Sequence, residues 1–418
     1  MTVSIHIVGV VLAVIAAIFA LSSTVVLVLA LIGARRFRKI ARQQQEFEAT
    51  LTDADLPFVS LLKPLHGTEP QLEENLESFF NQDYPDFEVL FAVDHEDDAA
   101  IAVAQRVMDR HPERHSQIIV QGEPPWPNPP AFGFHTMAKV ARAEILVTSD
   151  SDVIVERNYL RQIVPPLLHK NTGMLTCVYR GLNTGGFWSQ MDAIGMSVEM
   201  TAGVVMANWM EGMRFGLGPT IVVRRDALEA IGGYAATGEY FSNDFIIGHL
   251  IAEKGYHVEL SRNIIAHVVP PMSFERMWQR QVRWAAGTRR SRPMGHLGTV
   301  FVYAVPGGIL AAIAGVLLGH PLIGLGVLGW SIVNRMIESL SIGWGITRDR
   351  ECLVRPWLYP MRDLLGFAVW VASYLHRKIT WRNGQFELID DGRVRMRDRE
   401  GRVITVIQDA SETHEMTK

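Results

Sequence analysis

The nine residues EILVTSDSD, 144–152, read as a buried β-strand that runs directly into two carboxylates. Outward from it, the runs PFVSLL (57–62), FEVLFAV (87–93), QIIV (117–120), MLTCVY (174–179) and TIVV (220–223) are short and rich in β-branched and aromatic residues, with helical patterns at 69–82 and 99–110 between them. That alternation predicts βαβ units, hence an α/β domain over 56–272 whose mostly parallel sheet is covered on both faces. In such folds ligands collect beyond the carboxyl ends of the strands. Asp150 and Asp152, two apart on an extended backbone, project to one side there and can face a divalent cation that also holds a diphosphate, which marks a place for a nucleotide-sugar. An isolated DxD is more often a turn, and it is the position at a strand end that favours the metal reading.

Three further groups carry chemistry. Asp94-His95-Glu96-Asp97-Asp98 follows FEVLFAV, where an acidic side chain can accept hydrogen bonds from a base or ribose; Asp97 or Asp98 also suits the cap of a helix beginning near Ala99. Phe241-Ser242-Asn243-Asp244 opens an amphipathic helix through Ile246, Ile247, Leu250 and Ile251. Ser242 or Asn243 suffices as its cap, leaving Asp244 for general-base work; the plainer reading is a first-turn Asp favoured by the helix dipole. Arg280-Gln281-Val282-Arg283-Trp284 lies in a helical stretch over 273–297 with apolar Met277, Trp278 and Trp284 and six arginines, suited to the membrane interface. Arg280 and Arg283 there can meet a diphosphate leaving group, and simple snorkelling is the alternative. The Pro-rich QGEPPWPNPP, 121–130, reads as a loop able to cover a ligand.

The 418 residues are 48% hydrophobic and 20% charged, which excludes a disordered chain, and 40 Lys+Arg against 44 Asp+Glu leaves no basic excess for nucleic acid. Cys177 and Cys352 stand far apart with no CxxC, so neither a disulfide framework nor a zinc site is expected. Ile5 to Gly33 contains no Lys, Arg, Asp or Glu, and Arg35, Arg36, Arg38 and Lys39 follow it. This is the pattern of an uncleaved anchor over 1–34 whose N-terminus lies outside, followed by a cytosolic linker over 35–55. Residues 298–347, broken near Gly319-His320-Pro321, predict two membrane helices joined by a tight outer turn. In 348–378, Arg362 and Asp363 leave only Leu364 to Leu375 uncharged, so an interfacial or re-entrant segment is expected, with 379–418 a cytosolic tail. Arg335 and Glu338, three apart within the second of these apolar helices, predict an ion pair on one helix face.

In chain order these groups resemble the D1, D2, D3 and (Q/R)xxRW pattern of membrane-bound inverting glycosyltransferases with a GT-A fold. Residues 59–91, VSLLKPLHGTEPQLEENLESFFNQDYPDFEVLF, together with Tyr359-Pro360-Met361-Arg362-Asp363-Leu364-Leu365 and Ile379-Thr380-Trp381-Arg382, resemble ceramide glucosyltransferases, a likeness extending over roughly residues 10 to 390. The resemblance implies a UDP-sugar donor, a Mg²⁺ or Mn²⁺ ion, ceramide or a related lipid alcohol as acceptor, and inversion at the anomeric carbon. It places uridine near Lys63, Pro64 and the Asp94 cluster, with Asp94 or Asp97 as the D1 residue; Asp150 and Asp152 at the cation; Asp244 as base; and Arg280, Arg283 and Trp284 beside the departing UDP. Two departures stand out: Asn243 where the family is acidic, and Pro130 where the family has a lysine near the donor, which leaves the sugar open. Hopanoid or diacylglycerol acceptors use the same motifs. A non-catalytic lipid-binding protein is opposed by the retention of Asp150, Asp152, Asp244 and Arg283 together.

Overall fold

The computed structural model describes residues 2–375 and, beyond them, 378–381, 384–388, 393–397 and 403–404. Helix α1 (Thr2–Glu48) leads into alternating strands and helices: β1 (Val59–Pro64), α2 (Leu72–Phe80), β2 (Phe87–Val93), α3 (Ala99–Arg110), β3 (His115–Val120), α4 (Pro129–Val140) and β4 (Ile145–Ser149). There follow β5 (Val153–Ile154), α5 (Tyr159–Ile163), β6 (Thr172–Thr176), β7 (Tyr179–Asn183), α6 (Phe187–Ile194), α7 (Thr201–Met210), β8 (Thr220–Arg224), α8 (Arg225–Glu229), α9 (Asn243–Glu253), β9 (His257–Leu260) and β10 (Ile265–Val269). Seven strands form one sheet in the order β3-β2-β1-β4-β8-β6-β9, in which only β8 runs against its neighbours. This is the mostly parallel α/β sheet expected, with MLTCVY divided between β6 and β7.

Strands β1, β2 and β4 are buried along nearly their whole lengths because helices cover both faces. Leu61, Val89 and Val147 join Phe79 of α2 and Val107 of α3, while Leu62, Leu90 and Leu146, each next in sequence to one of these, join Phe134 and Met137 of α4. A second sheet, β5-β10-β7, stands at the carboxyl end of β4.

The anchor helix differs from expectation at its end. It does not stop near Gly33; the expected linker is helical as far as Glu48. ARRFRKIARQQQEFE contains no Gly or Pro to break it, and its last turns dock on the α/β domain. There Gln44 donates to the Leu260 carbonyl (3.1 Å) and accepts from the Arg262 amide (2.7 Å), Glu48 pairs with Arg262, and Phe47 stacks on His169.

After the sheets come α10 (Phe274–Ser291), α11 (Pro293–Gly298), α12 (Val305–Leu317), α13 (Pro321–Glu338), α14 (Arg350–Val354) and α15 (Leu358–Leu375). The arginine-rich stretch read as one helix over 273–297 is therefore two, broken before Pro293. Helices α12 and α13 turn at Gly319 (φ 76°) and pack on each other and on α1. Among the described residues, α1 is long and apolar enough to cross a membrane, as is the pair Pro293–Val302 and Val305–Leu317, bent by 50°, if taken as one span. Helix α15 is continuous through Arg362 and Asp363, both of which are buried against partners. In the tail, β11 (Lys378–Trp381), β12 (Gly384–Leu388), β13 (Val394–Arg397) and β14 (Val403–Ile404) form an antiparallel sheet. Of the segment 348–378 and the tail 379–418, residues 376–377, 382–383, 389–392, 398–402 and 405–418 fall outside the described residues.

Candidate active site

The site is built where β4 ends. Lys63, on the neighbouring strand β1, is fully buried; its Nζ donates to the Asp150 carbonyl at 2.8 Å and sits 3.4 Å over the Phe79 ring. Burial pushes this ammonium down to about 7, opposed by the charges of Asp150, Asp152 and Glu69. Asn75 Nδ2 donates to the Ser151 carbonyl (3.0 Å) and Ser151 Oγ to Glu69 (2.6 Å), so the turn carrying the DxD is tied down at each residue. Lys63 therefore lies beneath Asp150 and holds its backbone.

Asp244 comes to the same place from the start of α9. Its Oδ2 accepts from the Gly218 amide at 2.9 Å and its Oδ1 from Phe245 at 2.8 Å. Ser242 stands at the cap position of α9 but makes no side-chain cap bond. Gly218 lies between the two carboxylates: a Cβ there would stand 3.3 Å from Asp244 Oδ2, a tight fit, and 3.7 Å from Asp150 Oδ2. Burial raises the Asp150 carboxyl well above the ordinary range, and the neighbouring charge of Asp152 adds to it. Burial also raises Asp244, against the lowering effect of its bonds from Phe245 and Gly218.

Pairing of β5 with β10 sets Val153 opposite His267 and so brings the imidazole to the DxD. His267 Nε2 lies 3.4 Å from Asp152 Oδ2 and 2.8 Å from Arg280 Nη2. Arg280 stacks over the Trp284 ring at 4.5 Å, and its Nε is 3.7 Å from Asp192. Burial, then the charge of Arg280, lower the Arg283 guanidinium.

The residues present fit a hard divalent cation. Asp152 Oδ1 is buried with no hydrogen-bond partner, and Asp150 is the other carboxylate of the pair. Among the described residues no three His, Cys, Asp or Glu side chains form a group that could hold a metal ion by themselves.

Of the residues singled out in the sequence, Lys63, Asp150, Asp152, Asp244 and Arg280 converge, with Arg283 and Trp284 on the same helix as Arg280. Asp94 sits at the carboxyl end of β2, half-buried, and accepts from Gln121 at 2.8 Å; Asp97 is exposed. Asp98 is the helix cap, accepting from Ala100 and also from Gly67. His267, Asp192, Glu69 and Gln281 were not legible, since each joins the site through contacts with distant elements.

The family model described as glycosyl transferase family 21 matches residues 14–394. Ceramide glucosyltransferase 1 of Caenorhabditis elegans is 25% identical over 350 residues, covering 82% of this chain and 74% of that one. Ceramide glucosyltransferase of Komagataella phaffii is 33% identical over 116 residues, 26% of this chain and 22% of that one. Among solved structures, a mannosyltransferase from Pyrobaculum calidifontis in complex with GDP-Man and Mn²⁺ superposes with a TM-score of 0.49 at 19% identity, covering 86% of this chain and 99% of that one. With Asp150, Asp152, Asp244 and Arg280 gathered beyond the end of β4 and the family model spanning nearly the whole sequence, the chain belongs to glycosyl transferase family 21.

Proposed function

We propose that this protein transfers a sugar, glucose in its relatives' reaction, from a UDP-sugar to the alcohol of ceramide or a similar membrane lipid, inverting the anomeric centre. The observation that carries this reading is the meeting of Asp150 and Asp244 across Gly218, one carboxylate at the donor side and one at the start of a helix. Asp150 and Asp152 would hold the divalent cation, Mg²⁺ or Mn²⁺, whose charge neutralises the diphosphate. Asp94, at the edge shared by β1 and β2, accepts from the base or ribose in preference to exposed Asp97. Asp244 takes the acceptor hydroxyl's proton as that oxygen attacks, and its raised pKa strengthens it as a base. Arg280 and Arg283, with Trp284 behind Arg280, oppose the charge that develops on the departing UDP.

In this reading α1 anchors the chain with its N-terminus outside, the α/β domain faces the cytosol, and the segment 298–347 crosses and returns. Cysteines introduced at Thr2 and Lys418 then differ in labelling by an impermeant reagent on intact cells, only the first reacting. The test of function is to incubate the purified protein in detergent with a panel of UDP-sugars and mixed lipids and identify the product by mass spectrometry. A ceramide hexoside is expected; a sugar on hopanoid or diacylglycerol alone would replace the acceptor, and no glycolipid with any donor would refute the reading.

A further inference from the structure

Behind the arginines lies a chain of buried polar groups that the reaction as described does not use. Asp192 on α6 is wholly buried; its Oδ1 accepts from Gln281 Nε2, while Oδ2 has no hydrogen bond and lies 3.7 Å from Arg280 Nε. Gln281 Oε1 in turn accepts from Arg362 Nη2 at 2.8 Å, and that nitrogen is 2.8 Å from Glu199 Oε2. Arg362 belongs to α15 and is 3% exposed. Its guanidinium lies flat on Gly195, where a Cβ would stand 2.5 Å from Nε, and Gly195 opens a π-helical turn, 195–200, that carries Glu199. Such turns recur at functional sites.

We infer that Asp192 and Arg362 are positioning residues that set Arg280 and Arg283 against the diphosphate of the donor, acting through Gln281. Adjacent positions on a helix point about 100° apart, so anchoring Gln281 on its buried side fixes the direction in which Arg280 leaves α10. Arg283, three residues after Arg280, shares that face. Packing alone does not call for these charges, because well-fitted apolar side chains hold helices together as well as or better than a buried ion pair. What the carboxylate of Asp192 adds is an orientation for Arg280, and Arg362 holds the amide that orients Asp192. The leaving-group site is thereby tied to a helix of the membrane-associated bundle.

This inference rests on the donor being a UDP-sugar, and nucleotide binding separates the two. Calorimetry on the full-length protein in detergent with Mn²⁺ would compare UDP with UMP, which lacks the outer phosphate. Asp192→Asn and Arg362→Lys should each weaken UDP by about tenfold or more, leave UMP within about twofold, and lower kcat without changing KM for the lipid acceptor. Arg362→Lys keeps the positive charge and so serves where Asp192→Asn does not fold; thermal midpoints near that of the parent establish folding. Equal loss of UDP and UMP, or unchanged UDP affinity and kcat in a folded variant, overturns the inference alone. A parent protein that binds neither nucleotide overturns the donor reading and this inference with it.

Discussion

At the end of β4, Asp150 and Asp244 face the same small space beside Gly218, and among the described residues neither carboxylate makes an ion pair, the Lys63 ammonium being held on the Asp150 carbonyl. In the helical bundle, by contrast, Arg335 Nη1 lies 2.7 Å from Glu338 and 3.6 Å from Asp363, all three being buried. Asp363 also accepts from the amides of Ala304 and Val305 at 3.0 and 2.8 Å, satisfying donors that the start of α12 would otherwise leave bare. Buried charge is tolerated when each group finds its counter-charge within the fold, and the bundle meets that condition. At the strand end Asp150 and Asp244 make no such ion pair among the described residues, and in the proposed reaction a cation and substrate would supply the partners.

The comparison is broken most directly by removing the cation. Excess EDTA should abolish transfer, and Asp152→Asn should do the same without unfolding the protein; full activity in chelator would show the carboxylates need no partner ion. Next, Asp244→Asn should lower turnover by about 10² to 10⁴ while UDP still binds by calorimetry. Because burial raises Asp244, the acid limb of its pH–rate profile should lie above the usual carboxylate range, rate falling as pH drops and the base is protonated. Loss of UDP binding in this variant would instead make Asp244 a donor ligand.

For the bundle, Arg335→Met leaves Glu338 and Asp363 buried without their cation, a change expected to destabilise by roughly 3–5 kcal/mol. Thermal unfolding in detergent measures it, and unaltered stability would remove the paired half of the contrast. Glu338→Gln should leave acceptor preference as it is; a shifted preference would move this pair from structure to recognition.

The smallest effect sharpens the difference by its sign. Since the Asp150 carboxyl is raised in the folded protein, its ionisation costs stability as pH climbs from the unfolded value through the folded one. Asp150→Asn, in metal-free protein, should therefore raise the thermal midpoint by a few degrees at neutral pH, with the gain vanishing in acid below the ordinary carboxylate range. A lower midpoint at neutral pH would mean that the cluster is already compensated.

How far the sequence reaches can be seen residue by residue. The pattern over 99–110 gave α3 to the residue, and EILVTSDSD gave a strand with its carboxylates at the open end, because burial period and strand-end chemistry are local properties. Four motifs in order gave the family. The tertiary structure alone decided which of Asp97 and Asp98 caps a helix, that His267 meets Asp152, that α1 continues to Glu48, and that the charges of α15 face inward. These are matters of which distant group satisfies a buried donor, acceptor or charge. Such partners are set by the pairing of β5 with β10 and the packing of α10 on α15, and a one-dimensional pattern does not record them.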